Sequence, residues 1–326
     1  MTERSDSRLT AAEAERAGRL ISAILENVEQ VIVGKREAAE LILAAMLAGG
    51  HVLIEDVPGV GKTSLVSAVA KSIDCTFRRI QFTPDLMPSD VTGFSVYNQK
   101  TGEFEFRPGG VMSHLVLADE INRAGAKTQS SLLEAMEERQ VTVDSVTYPL
   151  EPPFMVLATQ NPVEALGAYP LPEAQLDRFL LKFSMGYPTL EEETKVVTLP
   201  RRSKQELAPA ASREDILELM ALTERVYAAP ALIRYAVELT GATRASADTI
   251  LGASPRGSIA LCRAAQALAL MRGRSYVLPD DIKYLAPYVL PHRIVLSHEA
   301  RLAGKTAESV VRQVMDSIVV PVGTEE

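Results

Sequence analysis

Residues 58–64, PGVGKTS, place two glycines, a lysine and two hydroxyls in one short turn. Gly59 and Gly61 let the backbone approach an anion closely. The loop runs Pro58, Gly59, Val60, Gly61, Lys62, Thr63 and Ser64; the amides of residues 59–63 point inward, and they lead into a helix start whose dipole favours negative charge. Lys62 can reach the β- and γ-phosphates of a nucleotide, and the Thr63 hydroxyl can ligate Mg²⁺. The strict phosphate-loop pattern wants a glycine at position 56, and the chain has Asp56. That position only starts the turn away from the preceding strand and need not touch phosphate. A tight turn with a solvated lysine would also fit GKT alone. The apolar run HVLIE (51–55) before it and the helical SLVSAVAKSI (64–73) after it supply the strand–loop–helix context that phosphate binding requires.

A second group is LVLADEINRA (115–124), an apolar strand ending in Asp119 and Glu120. Asp119 can hold Mg²⁺ through water, and Glu120 can orient and activate an attacking water, which points to hydrolysis rather than binding alone. Read alone, it is also a strand running into an acidic turn. A third group, FMVLATQNP (154–162), ends in Asn161, placed either to position water beside a γ-phosphate or to form an Asn-Pro turn. A fourth, LPEAQLDRFLLKF (171–183), sets Arg178 beside Asp177, as a structural ion pair or as a finger reaching a neighbouring subunit's site. Such a finger contributes about 10³–10⁵ in rate. In a fifth, GASPRGS (252–258), Arg256 lies in the first turn of a helix, where the dipole disfavours a cation and a phosphate contact would offset the cost. A solvated side chain is the other reading.

Composition narrows the field. The net charge is −8 and the pI about 5.3, which argues against a constitutive nucleic-acid binder. Cys75 and Cys262 are too few and too far apart for a disulfide framework or a cysteine zinc site, in keeping with a reducing compartment. His51, His114, His292 and His298 show no metal-ligand spacing, and His114 reads as the start of a buried strand. The N-terminus is polar and unlike a signal peptide. No apolar run approaches the roughly 18–20 residues of a membrane helix, so the expected location is the cytoplasm.

The elements that must position these groups alternate. Strands are expected at 51–55, 77–82, 114–119, 154–159 and 179–184, with helices between several of them, for example at 127–139. This implies a parallel sheet with helices on both faces. Two helices precede the first strand, one carrying Leu20, Ile21, Ile24, Leu25 and Val28 and one at 36–50, with VIVG (31–34) between them. GFSVYNQKTGEFEF (93–106) and QVTVDSVTYPL (140–150) alternate with a two-residue period and read as inserted β-hairpins, as decoration or as functional parts. The second should pair Val141 and Val143 with Tyr148 and Val146 around Asp144-Ser145. Beyond Gly186 the strand signal disappears. Helices are expected near 188–197, at 212–220 behind a Ser212/Asp215 capping box, and at 254–271, 279–290 and 306–318, with 202–211 as an exposed linker. The division is thus an α/β nucleotide domain over 1–186, including the N-terminal helices, and an all-α lid over 187–326.

Loop, acidic strand end, amide strand end, DRF and PRG follow in fixed order, and the set resembles the AAA+ ATPases. The two hairpins resemble those of the helix-2-insert group. Within it, VIVGK (31–35), LIEDVPGVGKT (53–63), IQFTPDLMPSDVTG (80–93), DEINRA (119–124), ATQNP (158–162), PLPEAQLDRF (170–179) and LPHRIVLSHEA (290–300) are similar to the MoxR family over residues 20–321. The resemblance implies ATP and Mg²⁺, and a homo-oligomeric ring, commonly a hexamer, with ATP between subunits. It places Val33 and Gly34 near adenine, and makes Asn161 the first sensor, Arg178 the finger acting in trans and Arg256 the second sensor, in cis or in trans. It also implies a chaperone-like remodeller whose hairpins face the pore or a rim, often working with a partner that carries a von Willebrand factor A domain.

Other classes fit less well. A GTPase lacks its N-K-x-D motif here, a transporter ATPase its LSGGQ-like signature, and an enhancer-binding activator its GAFTGA-type loop. A nucleic-acid motor is nearer, but SVYNQKTGEFEF offers one Lys against two Glu. A nucleotide-switched binding module without hydrolysis would leave Glu120 without work.

Overall fold

The structure, a computed structural model, describes residues 8–57, 59–161, 169–198 and 207–321. Pro58 and Pro162 therefore lie outside the described residues. In chain order, α1 (Ala11–Glu29) and α2 (Arg36–Leu47) precede β1 (Val52–Glu55), α3 (Lys62–Ser72), β2 (Phe77–Gln81) and α4 (Pro88–Thr92). The hairpin β3 (Gly93–Asn98)–β4 (Glu103–Pro108) follows, then β5 (Leu115–Asp119), α5 (Ala126–Glu138) and a second hairpin, β6 (Gln140–Val143)–β7 (Val146–Pro149). The core closes with β8 (Met155–Gln160), α6 (Glu173–Leu176) and β9 (Leu181–Phe183). Beyond it come α7 (Leu190–Thr198), α8 (Arg213–Glu224), α9 (Pro230–Ala245), β10 (Thr249–Leu251), α10 (Pro255–Met271), α11 (Pro279–Val289), β11 (Val295–Leu296), α12 (His298–Leu302) and α13 (Ala307–Ser317).

The sheet order is β2-β5-β8-β1-β9, and its neighbours all pair in parallel. Both faces of the central strands are covered, so β1, β5 and β8 are mostly apolar along their length and every residue of β5 is buried, whereas the outer strand β2 (FRRIQ) carries exposed arginines. The pleat sorts them. Val52, Ile54, Leu115, Leu117, Met155 and Leu157 face a cluster that runs through α1, α2 and α3 into the C-terminal helices. Leu53, Val116, Ala118, Val156 and Ala158 face a second cluster built with α5 and Phe179. α1 starts at a capping box, Thr10 with Glu13, and buries Ala14, Ala17, Ile21, Ile24, Leu25 and Val28 as one stripe. Ser212 and Asp215 cap α8 in the same way, as the sequence predicts.

Both inserted hairpins form. Val141 pairs with Tyr148 and Val143 with Val146, across Asp144 and Ser145 at φ 49° and 67°, the left-handed pair a two-residue turn demands. The stacked rings of Phe106 and Tyr148, with centroids 3.9 Å apart, join one hairpin to the other.

Three expectations need correction. The C-terminal part is not purely helical, because β10 and β11 pair in a two-stranded antiparallel sheet too short to leave a periodic signal. α9 runs from Pro230 to Ala245 although the sequence analysis assigned nothing there. The linker expected at 202–211 is described only from residue 207. That end is docked: the amides of Ala210 and Ala211 donate to the Ser72 carbonyl, and Ala211 is buried. Among the described residues no helix is long and apolar enough to cross a membrane.

Two histidines are locked neutral inside. The Nε2 of His51 meets the Met136 carbonyl at 3.1 Å and its Nδ1 accepts from the Val156 amide. Burial pushes its pKa down to about 4. His292, against the Phe179 carbonyl, is lowered well below the ordinary imidazole range, first by burial and then by Arg293. In the unfolded chain both take protons near pH 6.5, so their stabilisation is full above that pH and declines below it, by up to about 1.4 kcal/mol per pH unit for each. Unfolding free energies from urea titrations at about pH 7.5, 6.5 and 5.5 should therefore fall in that order, and a flat profile would contradict the burial of neutral imidazoles.

Candidate active site

The order of the sheet assembles the site. β8 lies between β5 and β1, so the strand ends carrying Asp119, Asn161 and the phosphate loop are neighbours, about 4.8 Å apart from one strand to the next. Because the strands are parallel, all three motifs emerge at the same, C-terminal, edge.

The loop has the required backbone. Gly59 and Gly61 stand at φ 89° and 91°, and a Cβ built on either meets nothing within 4 Å, which leaves an open cradle on that side. Gly61 caps α3, so Lys62, Thr63 and Ser64 form its first turn, and the helix starts two residues earlier than the sequence predicts. The Lys62 ammonium donates to the Asp56 carbonyl at 3.1 Å. Asp56 itself is absent from the residues with positive φ, so glycine is not needed there. Its buried carboxylate accepts from the Ser184 hydroxyl and from the amides of Met185 and Gly186. Lys35 holds the same two residues from the other side, donating to the carbonyls of Met185 and Gly186 at 2.8 and 3.0 Å. This sets Val33 and Gly34, which precede Lys35, near the Met185–Gly186 segment; Gly34 holds φ 70°, which favours glycine, and faces the end of the Glu192 side chain.

The acidic pair is fixed by its neighbours. The Thr159 hydroxyl donates to Asp119 Oδ1 at 2.6 Å and accepts from the Glu120 amide at 2.8 Å, so one side chain on β8 sets both residues. Arg79 on β2 binds Asp119 Oδ2 through Nε at 3.0 Å. Gln81, two residues on and on the same face, donates to Glu120 Oε2 at 2.8 Å. Arg123 binds that same oxygen. Glu120 sits in the left-handed region at φ 57°, a conformation costing about 1–3 kcal/mol that persists where surroundings over-determine it. Asn161 is buried at the end of β8. Thr63, Asp119 and nucleotide phosphates together offer the hard oxygen donors that suit Mg²⁺. Among the described residues no cluster of three or more His, Cys, Asp or Glu side chains could hold a metal ion.

The two arginines lie elsewhere. Leu180, two residues after Arg178, donates its amide to the His51 carbonyl at the N-terminal end of β1. Arg178 donates to the Leu133 carbonyl at 2.8 Å and pairs with Glu137 at 2.9 Å. Arg256, in the first turn of α10, pairs with the same Glu137 at 2.7 Å. The sequence motifs thus divide into two sets. Loop, acidic pair and amide share one edge of the sheet; the arginines lie at the other, about 13 Å away along a four-residue strand. Sequence reading missed Lys35, Arg79, Gln81, Thr159 and Glu137 as participants. The two-residue period of β2, which puts Arg79 and Gln81 on one face, is the signal that could have found two of them.

Comparison with known proteins agrees with this layout. Residues 51–181 match the family model of the ATPases associated with various cellular activities, and residues 241–314 match the AAA lid domain. The chain is 57% identical to the uncharacterised protein YeaC of Bacillus subtilis, over 93% of this chain and 95% of that one. It is 44% identical to Chaperone MoxR1 of Mycobacterium tuberculosis, over 90% and 81%. It is 30% identical to protein MoxR of Methylorubrum extorquens, over 90% and 93%. A crystal structure of a Cytophaga hutchinsonii protein superimposes with a TM-score of 0.90 at 41% identity, over 95% and 97% of the two chains.

Asp56 gives the prediction of this site. Asp56→Gly restores the strict loop pattern but strips acceptors from two amides and a hydroxyl. We expect it to lose on the order of 2–4 kcal/mol in urea unfolding without tightening nucleotide binding. Unchanged stability would remove Asp56 from its place at this junction.

Proposed function

The chain belongs to the MoxR family of AAA ATPases, and from that premise we propose that it hydrolyses ATP with Mg²⁺ at sites shared between copies in a ring, commonly of six. The observation that carries this reading is the separation just described. One copy holds the loop and the acidic pair at one edge of its sheet and its two arginines at the other. A complete site then needs a neighbour. Lys62 and the loop amides bind the phosphates, Val33 and Gly34 border the base, and Glu120 holds the attacking water with Asn161 beside it. Thr63 and Asp119 would hold Mg²⁺, which would supply charge neutralisation to the bound phosphates. Arg178 and Arg256 both act on the neighbour's triphosphate. The Glu137 that Arg256 shares with Arg178 supports a trans role for Arg256 as well.

The work driven is chaperone-like remodelling of a protein client in the cytoplasm, with a von Willebrand factor A domain protein as the expected partner. Two features support it: the name of the mycobacterial relative, Chaperone MoxR1, and the exposed, paired rings of Tyr97 and Phe104 on one face of the first hairpin. Such an apolar patch fits a polypeptide better than a phosphate backbone. The boundary near residue 186 belongs to the same reading, supported by the change there from sheet to mainly helices.

The test uses two inactive variants. Glu120→Gln should bind ATP and turn over slowly, and Arg178→Ala should bind ATP with kcat reduced by about 10³-fold or more. Mixed together they should regain activity, since some interfaces combine an intact Glu120 with an intact Arg178. Wild-type specific activity should also rise with protein concentration as copies associate. Full activity in a monomeric sample would overturn the shared site.

A further inference from the structure

α5 ends where the two arginines meet, and a single carboxylate joins them. Glu137 Oε2 lies 2.9 Å from Arg178 Nη2, and Oε1 lies 2.7 Å from Arg256 Nη2. The three residues come from three separate segments: α5, the turn after α6, and the first turn of α10. Arg178 has a second tether on the same helix, the Leu133 carbonyl one turn earlier. Its Nε has no partner. Arg256 is bound through one Nη2 only, and its side chain is half exposed. Both guanidinium groups are therefore oriented with donors to spare.

The charge around them makes Glu137 necessary. A cavity of about 310 Å³ at this end of the sheet is lined by Arg178 and Arg256 together with Arg139, Arg263 and Arg293. Its carboxylates are Asp177 and Glu137. Asp177 is already committed to Arg293 and to the Ser254 hydroxyl. His51, in the same wall, is neutral. Glu134 and Glu138 line a neighbouring pocket with Arg178, but Glu137 is the carboxylate that pairs with both arginines, and without it Arg178 and Arg256 would lose their shared counter-ion. Two like charges in a confined cleft splay apart, and the spacing at which they could grip one triphosphate would be lost.

We propose that Glu137 is a positioning residue for hydrolysis: its carboxylate holds Arg178 and Arg256 as a preorganised pair, one oxygen to each, for the triphosphate bound by the neighbouring copy. This rests on the reading that the two arginines act in trans. Glu137 touches no nucleotide itself. It acts through the arginines, as an orienting partner acts on a metal ligand. A carboxylate that merely competed with phosphate would slow the site and would be an advantage to remove.

The experiment measures steady-state ATP hydrolysis for Glu137→Gln and Glu137→Ala full-length proteins, alone and mixed with Glu120→Gln. A misplacement of about 1 Å at a catalytic group can cost about 10²-fold, so kcat should fall by about 10- to 100-fold in Glu137→Ala and by less in Glu137→Gln, which keeps one acceptor oxygen. Affinity for a fluorescent ATP analogue should stay within about 2-fold of wild type, because each copy's own loop lies at the other edge of the sheet. Mixing Glu137→Ala with Glu120→Gln should restore activity above the sum of the two. Arg178→Ala/Glu137→Ala should lose less than the product of the two single losses, because part of what Glu137 does passes through Arg178 and only the rest through Arg256.

Higher kcat in Glu137→Gln would overturn the proposal, as would multiplicative losses in the double variant. Wild-type kcat in Glu137→Ala beside an inactive Arg178→Ala would overturn it while leaving the trans reading intact. Wild-type kcat in Arg178→Ala would remove the trans reading itself. Should Glu137→Ala lose its fold, the near-isosteric Glu137→Gln carries the test through the same mixing readout.

Discussion

Asp177 is the point on which the two halves of this chain turn. Its Oδ1 lies 2.9 Å from Arg293 Nε, as an ion pair rather than an aligned hydrogen bond, and its Oδ2 accepts from the Ser254 hydroxyl at 2.8 Å. Arg293 is buried, and burial, the largest influence, pushes its pKa down to about 10 against the pull of Asp177. A charge taken out of water to this extent is tolerated only when it is paired and when its remaining donors are used. They are: Nη2 reaches the Phe179 carbonyl at 2.6 Å, and the adjacent His292 binds the same oxygen. Removing either member of such a pair costs about 3–5 kcal/mol, because the other is left buried and alone.

The consequence is positional. Asp177 precedes Arg178, and Ser254 caps the helix that carries Arg256. Fixing Asp177 to Ser254 and Arg293 therefore fixes one functional arginine against the other before either meets a nucleotide. The DRF triplet is a joint in which the first residue docks the C-terminal part, the second is the proposed finger and the third, Phe179, fills the core with a fully buried ring. The same economy appears at the other edge of the sheet, where Thr159 sets both Asp119 and Glu120 from a neighbouring strand.

The parts of the molecule that could be read from sequence are those whose physics is local. The loop announces itself because two glycines, a lysine and a threonine must be consecutive to wrap a phosphate. The acidic pair announces itself because it ends an apolar run. The hairpins show through their two-residue period and the fold class through the alternation of strand and helix. What could not be read depends on contacts made across long stretches of chain. Asp56 looks like a blemish in a motif until its partners appear some 128 residues later. Glu137 is one glutamate among several in EAMEER, and nothing in its spacing marks it as the partner of Arg256, 119 residues away. β10 and β11 are three and two residues long, below any detectable period. The end of the supposed linker is held by backbone bonds to Ser72, which leave no trace in side-chain pattern.

The separation of the two sets of charges has an electrostatic reason. Arg123 already pairs with Glu120 Oε2 in the same copy, and a further arginine there would compete for the other oxygen. Kept at the far end of a strand, about 13 Å away, Arg178 and Arg256 lie beyond the roughly 8 Å Debye length of physiological salt, which weakens their attraction to their own acidic pair. Each set then needs a partner of its own, and each has one. Arg79 and Arg123 attend Asp119 and Glu120; Glu137 attends Arg178 and Arg256. The length of the strands thus keeps the acidic pair and the two arginines apart inside a single copy, each set with a counter-charge of its own, as the proposed shared site requires.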